Sequence, residues 1–360
     1  MSSFAIYRLP YANQCTLLVQ TSSEPEQLHS LTALDGQSGF VIAPFNIGAD
    51  TPLLLLHPDQ TRQLSLTGGM VDVSDIDNLT VVTGHHSPTL AKQPPRNQYR
   101  ESFACFHSAL LEGQFEKLVL SRCLPLPNDG TSSPFELFFR ACQRYPRLFI
   151  ALISTPQSGT WLTATPEILL EGKAGQWRTI ALAGTIKLEG EGLTGEGENA
   201  RWSTKNIQEQ RYVATYLAQQ LKPFASSLHE EGPRTVRAAN LIHLRSDFIF
   251  TLFNHARVGE LLQALHPTPA VCGLPKQEAF DFIIHNEPTP RLYYSGFMGP
   301  LNPETHLYVT LRCMHICPPE YRLYAGGGIL KESTEQQEWL ETEAKMGTMA
   351  RLLYIKAVKR

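Results

Sequence analysis

Short β-type runs recur before, between and after helical stretches of this chain, without a regular strand–helix–strand rhythm, and that order limits what it can fold into. Cys15–Val19, Gly39–Pro44 and Leu53–Leu56 are β-type runs punctuated by Pro, Asn and Asp. Asn97–Gly113 has helical periodicity, with Tyr99, Phe103, Phe106 and Leu110 on one face and Gly113 placed to end the helix. Lys117–Leu124 reads as a strand, Phe135–Tyr145 as a helix stopped by Pro146, and Phe149–Ser154 with Gly159–Thr165 as a hairpin. Strands are expected at Gly172–Gly175 and Trp177–Ala183, a long helix at Trp202–Leu221, and further strands within Val236–Phe253. After a proline-rich loop at His266–Pro275 come a helix at Gln277–Asn286 and strands at Tyr293–Met298, Leu307–Ile316 and Tyr321–Ile329. A final helix runs from Thr334 to about Leu353. This order predicts an α+β fold: one large domain over residues 1–360, with extensive, mostly antiparallel sheets flanked by helices.

Charge and cysteine usage exclude several functions. The formal net charge of −3 offers no field for nucleic acid or an anionic membrane. No apolar run approaches the ~20 residues of a membrane span, and the first residues lack a signal-peptide pattern. Seven cysteines, an odd number with no C-x-x-C pair, read as reduced thiols of a cytoplasmic protein. The glycines of Gly190–Asn199 are interleaved with glutamates that repel phosphate, so a surface loop is expected there. The partner expected is a small molecule, and the chain a monomer or weak homodimer.

The chemistry concentrates late in the chain. Ser333-Thr-Glu-Gln336 fits a capping box at the start of the last helix. On that helix Glu338, Glu341 and Lys345 lie within about 60° of one another, beside the apolar face of Trp339, Met346, Met349, Ala350 and Leu353. Such a row is either a solvated Glu–Lys pair or a set of carboxylates for a hard cation. Glu209, on the Trp202–Leu221 helix, lies off the stripe of Ile207, Ala214, Leu217 and Leu221. Arg291 and Arg312 adjoin apolar strands and suit either a carboxylated substrate or a neighbouring acidic residue. Tyr324-Ala-Gly-Gly-Gly-Ile329 is either an anion-approaching backbone or a tight turn. Lys117 shares a strand face with Val119 and Ser121, pointing to the core or snorkelling to water.

Taken together and in order, these segments resemble the chorismate-utilising enzymes, most closely the isochorismate synthases. The resemblance runs from about Asn97 to Leu353, with residues 1–95 a divergent part of the same fold. Its motifs are Lys117-Leu-Val-Leu-Ser-Arg122, Ala164-Thr-Pro-Glu167, Leu182-Ala-Gly-Thr185, Lys205-Asn-Ile-Gln-Glu209 and His266-Pro-Thr-Pro-Ala270-Val-Cys-Gly273. They continue with Glu287-Pro-Thr-Pro-Arg291-Leu-Tyr-Tyr294-Ser-Gly296, Ala325-Gly-Gly-Gly328-Ile and Glu338-Trp-Leu-Glu341-Thr-Glu-Ala-Lys345. Ala183 stands where aminodeoxychorismate synthases carry a nucleophilic lysine, and Lys117 where the water-using members carry theirs. Asn206 and Gln210 replace the usual Asp and His beside the metal-binding Glu, and Leu292 replaces a common Gly.

The resemblance implies Mg²⁺-dependent conversion of chorismate to isochorismate, by attack of water at C2 with loss of the 4-hydroxyl. It implies Lys117 as general base and Glu167 as general acid, with Glu209 and Glu341 on the metal and Glu338 on it directly or through water. Ala183, Gly184, Thr185, His243, Ala270, Tyr294, Arg312, Gly327, Gly328 and Lys345 would bind substrate. The alternatives are a salicylate synthase, which goes on to eliminate pyruvate, and a non-catalytic chorismate-binding homologue.

Overall fold

The computed structural model describes residues 2–66, 76, 79–83, 95–188, 200–254 and 257–353; the acidic loop expected at 190–199 lies outside them. The strands form two nine-stranded sheets, antiparallel at every pairing, with helices packed around them. In the first sheet the order is Gly273–Leu274, Lys117–Pro127, Glu320–Ile329, Cys313–Cys317, Gly159–Thr165, Phe149–Thr155, Ser3–Arg8, Gln14–Gln20 and Gln60–Ser65. In the second it is Ala225–Ala238, Leu241–Leu252, Gln176–Lys187, Ile168–Lys173, Thr305–Val309, Phe297–Leu301, Gly39–Ala43, Leu53–Leu56 and Glu26–Leu28. Residues 3–65 therefore complete both sheets.

Strand alternation explains how the sheets stack. Inward-facing Phe149, Trp161 and Tyr324 of the first sheet meet Phe40, Ile180, Leu182 and Tyr308 of the second in one apolar layer. Phe149 and Tyr308 stack across it with ring centroids 4.3 Å apart. Helices Thr204–Leu221 and Val258–Leu265 cover the far face of the second sheet. Helices Pro134–Arg144 and Glu335–Leu353 cover that of the first. Helices Pro95–Leu111 and Lys276–Asn286 pack against the Lys117 strand.

Several local expectations are corrected. Gly172–Gly175 is not a strand of its own: Gly172 and Lys173 end the strand Ile168–Lys173, and Ala174 and Gly175, at φ +51° and +85°, form the two-residue turn joining it to Gln176–Lys187. Tyr293 and Tyr294 belong to a turn, and the strand starts at Phe297. The stretch Leu307–Ile316 is two strands in different sheets, Thr305–Val309 and Cys313–Cys317, with Arg312 at φ +45° between them. The Ser333 hydroxyl accepts from the Leu330 amide, so it serves the turn before the last helix. A true capping box occurs instead at Ser133 and Glu136. The strand Ala225–Ala238 and the helix Val258–Leu265 were not expected at those lengths or places.

The helix Thr204–Leu221 is held at its start by Ser203, whose hydroxyl accepts from the Asn206 amide. Val213, Ala214, Leu217 and Leu221 anchor it to the sheet. Leu217→Ala removes a fully buried side chain from that contact. It should cost about 2–5 kcal/mol in urea unfolding, and a loss under about 1 kcal/mol would show that the helix is anchored elsewhere.

Candidate active site

Two strand crossings between the sheets build the site. The chain leaves the first sheet at Thr165 and enters the second at Ile168, so Pro166 and Glu167 occupy the corner. It returns at Val309–Cys313, which puts Arg312 at a second corner beside the first. The corners are tied together by Val309 N–H donating to Glu167 O at 2.9 Å and Ala164 N–H donating to Arg312 O at 3.0 Å. Between them lies a small cavity of about 50 Å³, lined by Glu167, Glu209, His243, Ala270, Tyr294, Arg312, Gly328 and Lys345, among others. It adjoins a larger open cavity of about 620 Å³, whose walls include Thr185, Lys205, Glu338 and Glu341.

Glu167 is 3% exposed. Burial pushes its carboxyl up to about 7, against the opposing pull of Arg312, Lys117 and Lys345. Lys117 points into the core, with no exposure at all. Its Nζ lies 3.1 Å from Glu209 Oε1 and finds no well-angled acceptor among the described residues. His243 is buried neutral, held well below its ordinary pKa by burial and by the charges of Arg312 and Lys345. Its Nδ1 meets Gly184 O at 2.9 Å and its Nε2 meets Arg312 Nη2 at 2.8 Å. A carbonyl can only accept and a guanidinium can only donate, so the proton sits on Nδ1 and the ring orients Arg312. Arg291, the other candidate arginine, is instead occupied by Glu287, at 2.7 and 2.6 Å, and by the carbonyls of Val119 and Val271.

The carboxylates expected on a metal each meet a lysine. Lys117 pairs with Glu209, Lys205 with Glu338, and Lys345 with Glu341 at 2.7 Å. Among the described residues no three ligand side chains converge as a ready cation cluster. The donor set nevertheless fits a hard divalent cation, since every candidate group is a carboxylate oxygen. Among the described residues Glu338 Oε2 is buried without a hydrogen-bond partner. Burial and the charge of Glu341 push the Glu338 carboxyl up to about 7. Glu209 is held below the ordinary carboxylate range: burial would raise it, but Lys117, Lys205 and Lys345 outweigh that.

The glycine run is part of a strand, not a turn. In the pairing with the Lys117 strand, Gly326, Gly327 and Gly328 lie opposite Ser121, Leu120 and Val119. A Cβ on Gly327 would sit 2.9 Å from Glu338 Oε2, and one on Gly328 would sit 2.1 Å from Glu209 Oε1 and 3.1 Å from Lys117 Cε. The glycines are there because carboxylates occupy the space side chains would fill. Lys345 Nζ also donates to Gly326 O at 2.9 Å. Of the remaining expected residues, Thr185 lies on the wall of the larger cavity. Gly184 acts through its carbonyl, and Ala183 packs in the core with Val213 and Ala214 of the helix above it. The role of Lys205 was missed. Its signal was the four-residue spacing from Glu209, which puts both on one helix face.

Residues 72–354 match the family described as chorismate binding enzyme. The chain belongs to that family. It is 28% identical over 261 residues to the isochorismate synthase EntC of Escherichia coli (strain K12), covering 71% of this chain and 67% of that protein. It is 30% identical over 280 residues to the isochorismate synthase DhbC of Bacillus subtilis (strain 168), covering 74% and 70%. The fold matches the solved structure of MenF, the menaquinone-specific isochorismate synthase from Escherichia coli, with a TM-score of 0.79 at 22% identity, over 98% of this chain and 89% of that one.

Gly328→Ala tests the cradle. The new methyl group would displace the Glu209–Lys117 pair. Calorimetric Mg²⁺ affinity should fall about tenfold or more while the far-ultraviolet dichroism is kept. Unchanged affinity would separate the glycine from any role in cation binding.

Proposed function

We propose that this chain is an isochorismate synthase, adding water to C2 of chorismate and expelling the 4-hydroxyl group. The observation that carries this reading is a buried, protonatable Glu167 in a cavity walled also by Glu209, Arg312 and Lys345, with the buried amine of Lys117 3.1 Å from the Glu209 carboxylate of that wall. Hydroxide leaves poorly unless protonated, and water attacks poorly unless a base takes its proton; each positioned group contributes on the order of 10²–10⁴-fold. Lys117 in its neutral form would take the proton of the attacking water. Glu167 would give its proton to the departing oxygen, so the reaction exchanges one allylic hydroxyl for another with protons balanced. Arg312, oriented by His243, would hold the enolpyruvyl carboxylate together with Tyr294, Lys345 and the backbone around Gly328. Ala270 would line the ring pocket.

Glu209 and Glu341 would hold Mg²⁺, with Glu338 on it directly or through water. When bound, the cation would neutralise the ring carboxylate and fix its orientation. Lys117, Lys205 and Lys345 pair with these carboxylates in the structure and would have to yield to it. The whole chain is the functional unit in this reading, because its first 65 residues complete both sheets. The seven cysteines form no disulfide among the described residues, which suits a reducing compartment such as the cytoplasm. Among the described residues no helix is long and apolar enough to cross a membrane.

The pH profile follows from Glu167. A general acid works only while protonated, and this carboxyl loses its proton near pH 7. Turnover should therefore fall as pH rises through about 7. Glu167→Gln should lower kcat by about 10²–10⁴ and remove that limb. A descending limb that survives in the variant would assign it to another group.

Product analysis tests the whole reading. In ¹⁸O-water with Mg²⁺ and excess ammonium, chorismate should give isochorismate labelled at C2 and no aminated product. Anthranilate as the main product would overturn water as nucleophile. Stoichiometric salicylate and pyruvate from the first time points would make the protein a salicylate synthase.

A further inference from the structure

The strand that carries Lys117 has unequal neighbours. On one side it pairs from Leu118 to Pro127 with Glu320–Ile329. On the other, only Lys117 and Leu118 have strand partners, Leu274 and Gly273. Beyond that two-residue strand the edge would carry amides and carbonyls without a ladder, and buried ones must find partners elsewhere. They find a side-chain ion pair. Arg291 Nη2 donates to Val119 O at 2.8 Å, and Ser121 N–H donates to Glu287 Oε1 at 2.7 Å. Arg291 and Glu287 thus offer the donor and the acceptor that the next residues of a neighbouring strand would have offered. The Ser121 hydroxyl adds a bond to Glu287 Oε2 at 2.9 Å.

The same pair holds the segment that leaves this edge. Cys272 O accepts from Val119 N–H at 2.7 Å, and the residues before it, Ala270 and Val271, line the small catalytic cavity together with Val119 and Tyr294. Arg291 Nη1 donates to Val271 O at 2.6 Å, and Arg291 O accepts from Tyr294 N–H at 2.9 Å. The Arg291 and Glu287 side chains are 3% and 4% exposed, and the guanidinium lies 4.3 Å over the Phe45 ring. Its fork makes two bonds to Glu287 and one to each of the two carbonyls. A lysine, with all its donors on one atom, cannot span them.

We propose that the Glu287–Arg291 pair stands in for the absent strand and sets the position of Lys117 against the Ala270–Val271 wall of the ring pocket. Both are positioning residues, acting through Val119, Ser121 and Val271, and the inference rests on Lys117 as the base. Arg312 and Lys345, which would hold the substrate's carboxylate, stand on other elements. The pair therefore governs the chemical step more than the hold on substrate.

Hydrogen–deuterium exchange, read beside the kinetics of chorismate consumption at saturating Mg²⁺, tests it. Arg291→Lys keeps the charge and loses the fork. Exchange in peptides covering 118–124 should rise at least about tenfold, while Gly159–Thr165 of the same sheet keeps its protection. In that variant kcat should fall at least about tenfold, with KM for chorismate within about threefold of the wild type. Ser121→Ala removes only the hydroxyl bond and should shift the same exchange and kcat at least about twofold. If Arg291→Lys does not fold, Ser121→Ala decides by those two readouts. The proposal is overturned if exchange at 118–124 is unchanged, if it rises equally across the chain, if kcat is kept, or if the loss appears in KM alone. Lys117→Ala, measured alongside, separates the two readings. Turnover that survives there fails Lys117 as base, whereas turnover lost there but kept in Arg291→Lys fails only the role given to the pair.

Discussion

Everything at the active site depends on two neighbouring places where a strand leaves one sheet for the other. A strand inside a sheet spends its amides and carbonyls on its neighbours and alternates its side chains between faces. At Pro166–Glu167 and Thr310–Arg312 the chain has left one ladder and not yet joined the next, so a side chain can point along the gap between the sheets. Two cross-links, Val309 to Glu167 and Ala164 to Arg312, keep those corners side by side. The backbone hydrogen bonds that would otherwise be lost at a crossing are thereby the same ones that set the spacing between the Glu167 carboxyl and the Arg312 guanidinium.

The electrostatics follow from that placement. Glu167 is almost fully buried, so burial outweighs three nearby cations and a hydrogen bond with Thr268 and raises its carboxyl to about 7. Glu209 has burial too, but three lysines outweigh it, whereas Glu338 stays raised to about 7 even beside Lys205. Burying a charge without a partner is far costlier than burying a pair, and three Lys–Glu pairs let a dense carboxylate site exist inside the protein. The same arrangement leaves Glu338 with one unsatisfied oxygen over Gly327. Unsatisfied buried oxygens are uncommon, and one in a cluster of hard donors is where a cation is best accommodated.

The positioning of Arg312 shows how far the site is tuned through groups that need not touch the reacting atoms. His243 is deprived of its charge by burial and by two cations, which turns its Nε2 into an acceptor. The carbonyl of Gly184, at φ +73°, fixes the tautomer from the other side. Gly184 sits close under Asn206, where a Cβ would be 3.2 Å from the Asn206 Cβ, so the strand carrying it packs tightly on the helix that carries Glu209. Helix, glycine, histidine and arginine form one contact chain across the second sheet.

Period and residue type in the sequence determined the fold class, the main helices, the hairpin Phe149–Thr165 and the set of motifs that mark the family. They did so because burial imposes a period of 2 or 3.6 wherever an element has one apolar face. They could not show that Leu307–Ile316 divides between two sheets, since alternation records burial and not which sheet is joined. Nor did they show the polar edge strand Ala225–Ala238, which has no apolar face to reveal it; the helix Val258–Leu265 went unread although Val258, Leu261, Leu262 and Leu265 recur at helical spacing over its two turns. On the Thr204–Leu221 helix the stripe misassigned both ends of the argument: Ile207 is 48% exposed, while Glu209 is 7% exposed. Only tertiary structure decided that, because Glu209 is buried by Lys117 and Gly328 from distant strands. The pairing of Lys205 with Glu338, the neutral His243 and the protonated Glu167 have the same origin: each is a property of groups brought together from far apart in the chain, and no local pattern carries it.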